Sequence, residues 1–198
     1  MGEKIFHKLF LLVVLMNSCT TTNISKYYFD HQPVLDKLHQ SYSVQYSHNP
    51  FSLEYVDKSF NNISIEIFTD TMKYIYVFQP DEMRLKDTLA KYHLVAGGIS
   101  ELLTGMRAVH CNWINNLDYY VDQTKNSLVF MSIRPMGFHF PFKRKKYYIL
   151  SYFSQPQYYD KEGRLLDKKR RRKIRKINED VFKRITDKVA YTISDRYR

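Results

Sequence analysis

The chain has 198 residues, of which 31 are Lys or Arg and 20 are Asp or Glu, so its formal net charge is +11 at pH 7. This length suits one domain with a substantial core and is marginal for two. The basic composition favours anionic partners. Because the only cysteines are Cys19 and Cys111, a small fold held together by several disulfides is excluded.

The N-terminal segment reads MGEKIFHKLFLLVVLMNSC. Lys4 and Lys8 make its start basic, Leu9 to Met16 form an unbroken apolar run, and small or polar residues follow. A helix needs about 20 residues to cross the hydrocarbon core of a bilayer, so this run is too short to span one. The pattern is typical of a secretory signal peptide.

The same segment resembles the signal peptide of bacterial lipoproteins, with LMNSC in the place of the lipobox. The resemblance implies that Cys19 becomes the first mature residue and carries acyl chains such as palmitate. It predicts a protein of the bacterial cell envelope, lipid-anchored to a membrane on its periplasmic or surface side. Residues 1–18 would be the signal peptide, 19–30 the lipidated Cys and a polar tether, and 31–198 a single domain. An ordinary cleaved signal peptide is the alternative.

The first half of the domain shows alternating patterns interrupted by helical ones. Pro33 is predicted to start a short amphipathic helix, which ends at Pro50 at the latest. A second helix is expected from Pro80 to about Tyr92, followed by a break at Gly97-Gly98 and one or two helical turns that stop at Gly105. The predicted strands are FSLEYV (51–56), ISIEIF (63–68) and MKYIYVF (72–78).

The second half is predicted to be a run of strands followed by one helix. The strands are VHCNWI (109–114), LDYYVD (117–122), SLVFMSI (127–133), FHFPF (138–142) and YYILSYF (147–153), with hairpin-length connections between them. After the turn DKEG (160–163), apolar residues recur at steps of three and four up to Tyr197. The resulting fold class is α+β: an antiparallel meander sheet with helices on one face and a long C-terminal amphipathic helix.

Cys111 is the best candidate for a catalytic residue. A Cys nucleophile needs a base within hydrogen-bond reach, and His93, His110, His139 and Asp118 are the candidates in the sequence. His110 is the wrong partner, because adjacent residues of a strand point to opposite faces. Because Cys111 would share a strand face with Val109 and Trp113, a small buried hydrophobic residue is the simpler interpretation. We expect no metal site and no cofactor, since no HxxxH or CxxC spacing and no phosphate-binding glycine fingerprint occurs.

A basic run near the C-terminus is the other candidate site. Eight of the nine residues from Lys168 to Lys176 are Lys or Arg. Such a run is typical of nucleic-acid binding. Because the N-terminal segment predicts export of the protein, we expect no nucleic-acid partner. The sequence predicts a binding or structural module that contacts anionic lipid, lipopolysaccharide or a cell-wall polymer. The alternatives are a solvated basic face without a partner, or an envelope hydrolase built around Cys111. The predicted contact residues are Lys168, Lys169, Arg170, Arg171, Arg172, Lys173, Arg175 and Lys176.

Overall fold

A computed structural model of the chain describes residues 20–121, 123–134, 147–168, 170 and 172–195. Within these ranges the chain forms three helices, which are α1 (Thr20–His48), α2 (Met83–Lys91) and α3 (Ala96–Ala108). The first six strands are β1 (Phe51–Tyr55), β2 (Ile63–Phe68), β3 (Lys73–Phe78), β4 (Cys111–Val121), β5 (Thr124–Ile133) and β6 (Tyr147–Phe153). The C-terminal strands are β7 (Lys176–Ile177), β8 (Asp180–Val181), β9 (Lys183–Arg184) and β10 (Val189–Ser194).

The main sheet of the described chain has eight antiparallel strands in the order β3-β2-β1-β4-β5-β6-β10-β9, and β7 pairs with β8 separately. The order is not that of a simple meander. The connection from β3 to β4 contains α2 and α3 and carries the chain past β2, so that β4 pairs with β1. Strands β1, β2 and β3 therefore form one series of hairpins, and β4, β5 and β6 form another. The β1–β4 pair joins the two series into one sheet.

The chain divides into two compact units at Gln32–Pro33. In the first unit the structure describes the beginning of α1, where Lys26 forms an ion pair with Asp30 at 2.6 Å and the ring of Tyr27 stacks on His31. The second unit, from Pro33 onward, contains the rest of α1 and all the other elements.

One face of the sheet is covered by helices. Leu53 lies opposite Ile65 on one side and Ile114 on the other, and all three are fully buried. The Tyr55 hydroxyl donates to the Leu103 carbonyl of α3 at 3.0 Å, and Tyr42 of α1 donates to the Phe51 carbonyl at 2.5 Å. We call this side the helical face.

The opposite face is covered, over β5, β6 and β10, by the segment that follows β6. Its anchors are Leu165, Ile177 and Phe182, which are at most 8% exposed. They pack into one cluster with residues of the three strands, among them Leu128, Phe130, Ile149, Phe153 and Ala190. We call this side the C-terminal face.

The predicted C-terminal helix is wrong, and with it the predicted fold class. The longest helix is the N-terminal α1, and the C-terminal residues form short strands. Asn178 and Glu179 have φ values of 51° and 66°, the left-handed pair that a two-residue hairpin turn needs. Thr186 Oγ1 then accepts the Val189 N–H at 3.0 Å, which closes the turn before β10. These turns separate short alternating segments whose apolar residues happen to recur at helical spacing.

Two predicted breaks are also wrong. Gly97 and Gly98 lie in the first turn of α3, and a Cβ on Gly98 would stand 2.7 Å from the Gln45 side chain of α1. This glycine therefore permits close approach of two helices rather than ending one. The predicted turn at Asn115-Asn116 lies inside the continuous strand β4, where the Asn116 side chain donates to Asp118 at 2.7 Å.

The predicted bounds of four strands are confirmed to within one residue, whereas the predicted N-terminal helix is too short. The strand 63–68 coincides with β2 and 147–153 with β6, and the strands 51–56 and 72–78 are each one residue longer than observed. The helix expected from Pro33 already begins at Thr20 and contains Pro33 in its interior, although the sequence predicts a polar tether there. The signal segment 1–18, Cys19 and the strand 138–142 lie outside the described residues.

Candidate functional site

The basic run forms the tip of a hairpin instead of a helix. Leu166 and Ile174 pair across an antiparallel bridge, and the Asp167 N–H donates to the Lys173 carbonyl at 2.9 Å. Inside the loop the Asp167 carboxylate accepts the Arg170 N–H at 2.8 Å, and the Lys173 N–H donates to the Arg170 carbonyl at 2.7 Å. We call the described residues of this tip the cationic loop, namely Asp167, Lys168, Arg170, Arg172 and Lys173.

The base of this hairpin is fixed in the core. Leu165 is fully buried on the C-terminal face, its N–H donates to the Phe182 carbonyl at 2.8 Å, and its carbonyl accepts the Arg175 N–H at 2.9 Å. Ile177, three residues beyond Ile174, is also buried in the cluster. The cationic loop is therefore held at both ends by buried residues.

The described cations of the loop point to solvent. Lys168, Arg170, Arg172 and Lys173 are all exposed, and none of these four side chains forms an ion pair or hydrogen bond with another described residue. A loop also avoids the unfavourable position that these cations would occupy at the positive end of a helix dipole. The result is a concentration of positive charge on a supported tip.

The remaining residues of the predicted set differ from these four. The Arg175 guanidinium lies 5.4 Å from the ring centre of Tyr119 and donates to Gln157 Oε1 at 3.4 Å, so it packs against the sheet. Lys176 is exposed and stands 4.0 Å from Glu179 Oε2. Lys169 and Arg171 lie outside the described residues.

Cys111 is buried at the start of β4 on the helical face. It pairs with Ile133, whereas Trp113 pairs with Ser132, and the register shifts between them. The prediction that Cys111 and Trp113 share a face is therefore wrong, because a bulge intervenes. The Cys111 thiol is fully buried and donates to the Trp113 carbonyl at 3.2 Å. Burial raises its pKa to about 12, although hydrogen bonding with the backbone of Trp113 and Ser132 opposes the shift.

The histidines proposed as partners of Cys111 have structural roles. His93 and His110 directly follow the C-caps of α2 and α3 with φ values of 55° and 46°, the left-handed conformation that ends many helices. Asp118 forms an ion pair with Lys125 at 2.9 Å, and His139 lies outside the described residues. Among the described side chains, no histidine or carboxylate contacts the thiol, so nothing there would generate a thiolate.

A cavity of about 470 Å³ opens between α2, α3 and β1. Leu85, Leu89, Ile99 and Leu103 line it, with the charged groups of Asp81, Lys86 and Arg107. Its size is typical of small-molecule sites. Two polar groups of its wall already have partners within the protein, since Arg107 donates to the Phe60 carbonyl at 2.8 Å and Tyr55 donates to Leu103.

Three comparisons bear on the identity of these sites. The chain matches no family model, no curated protein and no solved structure. Within the described ranges no group of three or more His, Cys, Asp or Glu side chains converges as a metal site would require. None of the described helices has the length and apolar character needed to cross a membrane. Function must therefore be argued from the chain's own residues.

The sequence indicated the cationic loop but not its anchoring or the cavity. The run of cations is visible as consecutive letters, whereas Leu165, Ile177 and Phe182 become neighbours only when the C-terminal segment folds back on the sheet. The cavity combines residues of three separated elements, and no local pattern marks them. The nearest available signal was the pair of glycines in the first turn of α3, which lie between the lining residues Ala96 and Ile99.

Proposed function

We propose that this protein is a lipid-anchored protein of the bacterial envelope that acts as a binding module and contacts anionic surfaces through the cationic loop. The observation that carries the proposal is the exposure of Lys168, Arg170, Arg172 and Lys173 on a loop that is flanked by the buried Leu165 and Ile177. The resemblance of the N-terminus to a lipoprotein signal peptide supports the anchor at Cys19 and the envelope location. Anionic phospholipid, lipopolysaccharide and cell-wall polymers share the phosphate or carboxylate chemistry that this loop would recognise.

Electrostatics supports a contact of useful strength. Each Lys or Arg near anionic headgroups contributes about 1 kcal/mol, and the described loop residues supply four such side chains. Internal hydrogen bonds already hold the loop in shape, so binding orders little backbone. The contact should weaken steeply with salt, because the Debye length falls from about 30 Å at 0.01 M to about 8 Å at physiological ionic strength.

The alternative of an envelope hydrolase built around Cys111 has less support. A nucleophilic thiol needs a lowered pKa and access to substrate, whereas the pKa of Cys111 is raised to about 12 by burial. The residue behaves as a small core hydrophobe.

The test is binding of the full chain to vesicles that contain phosphatidylglycerol, measured by co-sedimentation over a series of salt concentrations. Replacing Lys168, Arg170, Arg172 and Lys173 by Gln should weaken binding at low salt by at least about tenfold and flatten its salt dependence. Vesicles of phosphatidylcholine alone should bind weakly with either protein.

The matched control removes the same charge from dispersed exposed lysines, by replacing Lys86, Lys161, Lys183 and Lys188 with Gln. We expect this variant to keep most of its affinity. If both variants lose binding equally, net charge alone attracts the vesicles and the loop has no special role.

A separate experiment tests the lipid anchor at Cys19. A labelled fatty acid should be incorporated into the natural chain and not into the Cys19→Ala variant.

A further inference from the structure

Strand β3 lies at one edge of the sheet without the usual protection against pairing. It reads KYIYVF, with no Pro or Gly, and Ile75 and Val77 are each 56% exposed. Its one charge, Lys73, forms an ion pair with Glu66 at 3.4 Å. Among the described residues no strand pairs with its outer side. Natural edges are usually shortened, charged, bulged or covered, because a free edge is a template for another strand.

The hairpin between β2 and β3 shows which backbone groups face outward. The Thr69 N–H donates to the Met72 carbonyl at 2.9 Å, so this pair is hydrogen-bonded. Because hydrogen-bonded and non-hydrogen-bonded pairs alternate along antiparallel strands, the residues of β3 that bond to β2 are Tyr74, Tyr76 and Phe78. The N–H and carbonyl groups of Lys73, Ile75 and Val77 therefore point away from the sheet.

We propose that this edge is a self-association surface on which β3 of a second copy pairs antiparallel, about a twofold axis through Ile75. In this register Lys73 faces Val77 of the second copy, so all three outward-facing residues find partners and about six backbone hydrogen bonds form. With an axis at Tyr74 or Tyr76, one outward-facing residue of each strand would have no β3 residue of the second copy across from it. The Ile75 register thus satisfies the largest number of free groups.

The side chains of β3 favour a second copy as the occupant, and the local charge at this edge does not oppose it. A twofold axis perpendicular to the sheet keeps each face continuous, so Tyr74 lies opposite Tyr76 of the second copy in the closer, non-hydrogen-bonded position that suits aromatic pairs. Ile75 and Val77 of the two copies meet on the other face. The whole chain carries a formal charge of +11, which opposes self-association. At this edge the charge of Lys73 is offset by Glu66.

The first test uses the direction of the Val77 amide. Val77→Pro removes an outward-facing N–H without removing a hydrogen bond to β2, and proline is tolerated on edge strands for this reason. In analytical ultracentrifugation of the full chain in mild detergent, we expect a monomer–dimer equilibrium whose dissociation constant rises at least about tenfold in Val77→Pro. The matched control Val77→Ala keeps the N–H and should retain most of the association. Circular dichroism verifies that both variants fold.

The second test does not depend on Val77→Pro folding. On a Cys19→Ser background, Ile75→Cys should form an intermolecular disulfide under mild oxidation, since opposed residues of a hydrogen-bonded pair have Cα atoms about 5.5 Å apart. Val77→Cys should not, because residue 77 of each copy would lie about 13 Å from its counterpart. The buried Cys111 thiol serves as an internal negative control.

The outcomes separate the proposal from its competitors. A concentration-dependent dimer that Val77→Pro weakens, together with cross-linking at Ile75 alone, supports it. A chain that stays monomeric, association that survives Val77→Pro, or equal cross-linking at both positions overturns it. If the chain stays monomeric, the alternative is that the free edge pairs with an extended segment of another protein.

Discussion

The two edges of the sheet differ in length, charge and support. At one edge β3 has six residues with largely exposed side chains and one charge. At the other, β9 consists only of Lys183 and Arg184, both exposed and cationic. Arg184 also forms an ion pair with Asp187 at 2.7 Å and lies 5.8 Å from the ring centre of Tyr159.

This difference indicates which edge can accept another strand. The outer side of β9 is already occupied, since Lys183 bridges to Arg164 and the Arg184 N–H donates to the Gly163 carbonyl at 2.7 Å. Adjacent cations also repel an equally basic partner. The β9 edge is thus blocked by the same C-terminal segment that carries the cationic loop. The β3 edge has no equivalent device within the described residues.

The largest predicted effect is on the stability of the C-terminal segment. Phe182 is 2% exposed in the cluster under this segment, so Phe182→Ala should lower the free energy of unfolding by about 3–5 kcal/mol. Ile75→Ala at the exposed edge should change the stability of the monomer by less than about 0.5 kcal/mol. Denaturant unfolding at a concentration below dimerisation measures both. Similar losses at the two positions would mean that β3 is covered.

An intermediate effect is predicted at the turn between β7 and β8. Glu179 has a φ of 66°, a conformation that costs an L-residue roughly 1–2 kcal/mol and glycine almost nothing. Glycine also gives the unfolded chain more conformational entropy, which offsets part of the strain that is relieved. Glu179→Gly should therefore stabilise the protein by about 0.5–1 kcal/mol. Glu179→Ala loses the same weak, exposed contact with Lys176 and keeps the strain. Thermal unfolding should therefore separate the two variants, and equal midpoints would contradict this turn geometry.

The smallest effect on stability is expected at β9, where two causes of edge protection can be separated. Replacing both Lys183 and Arg184 by Val should change the free energy of unfolding by less than about 0.5 kcal/mol, since both side chains are exposed. Association should stay unchanged, because Gly163 and Arg164 still occupy the outer backbone groups of β9. Light scattering against a Lys183→Gln, Arg184→Gln control checks this. Increased association in the Val variant would mean that charge, rather than the bridge to Arg164, protects this edge.

Local patterns were sufficient where a strand alternates over its full length. Ile63, Ile65 and Ile67 mark β2 without ambiguity, and β2 has the predicted bounds. The cationic loop was also visible as a run of letters, although its predicted helical setting was wrong. The same reasoning failed at β4, because Asn115-Asn116 is typical of a turn and only pairing along its whole length with β5 keeps the strand continuous.

The sequence by itself determined the strands β1, β2, β3 and β6, the helix α2, the basic character and the lipoprotein-like N-terminus, because each depends on neighbouring residues. The tertiary structure decided the rest. Val189 to Ser194 could follow a helical period or a strand, and antiparallel pairing with β6, far away in sequence, selects the strand. The same folding buries Leu165 and Phe182, which leaves the intervening cations on a loop. Burial of Cys111, finally, depends on the sheet and the elements packed on it, so the raised pKa of its thiol could not be derived from its neighbours in the chain.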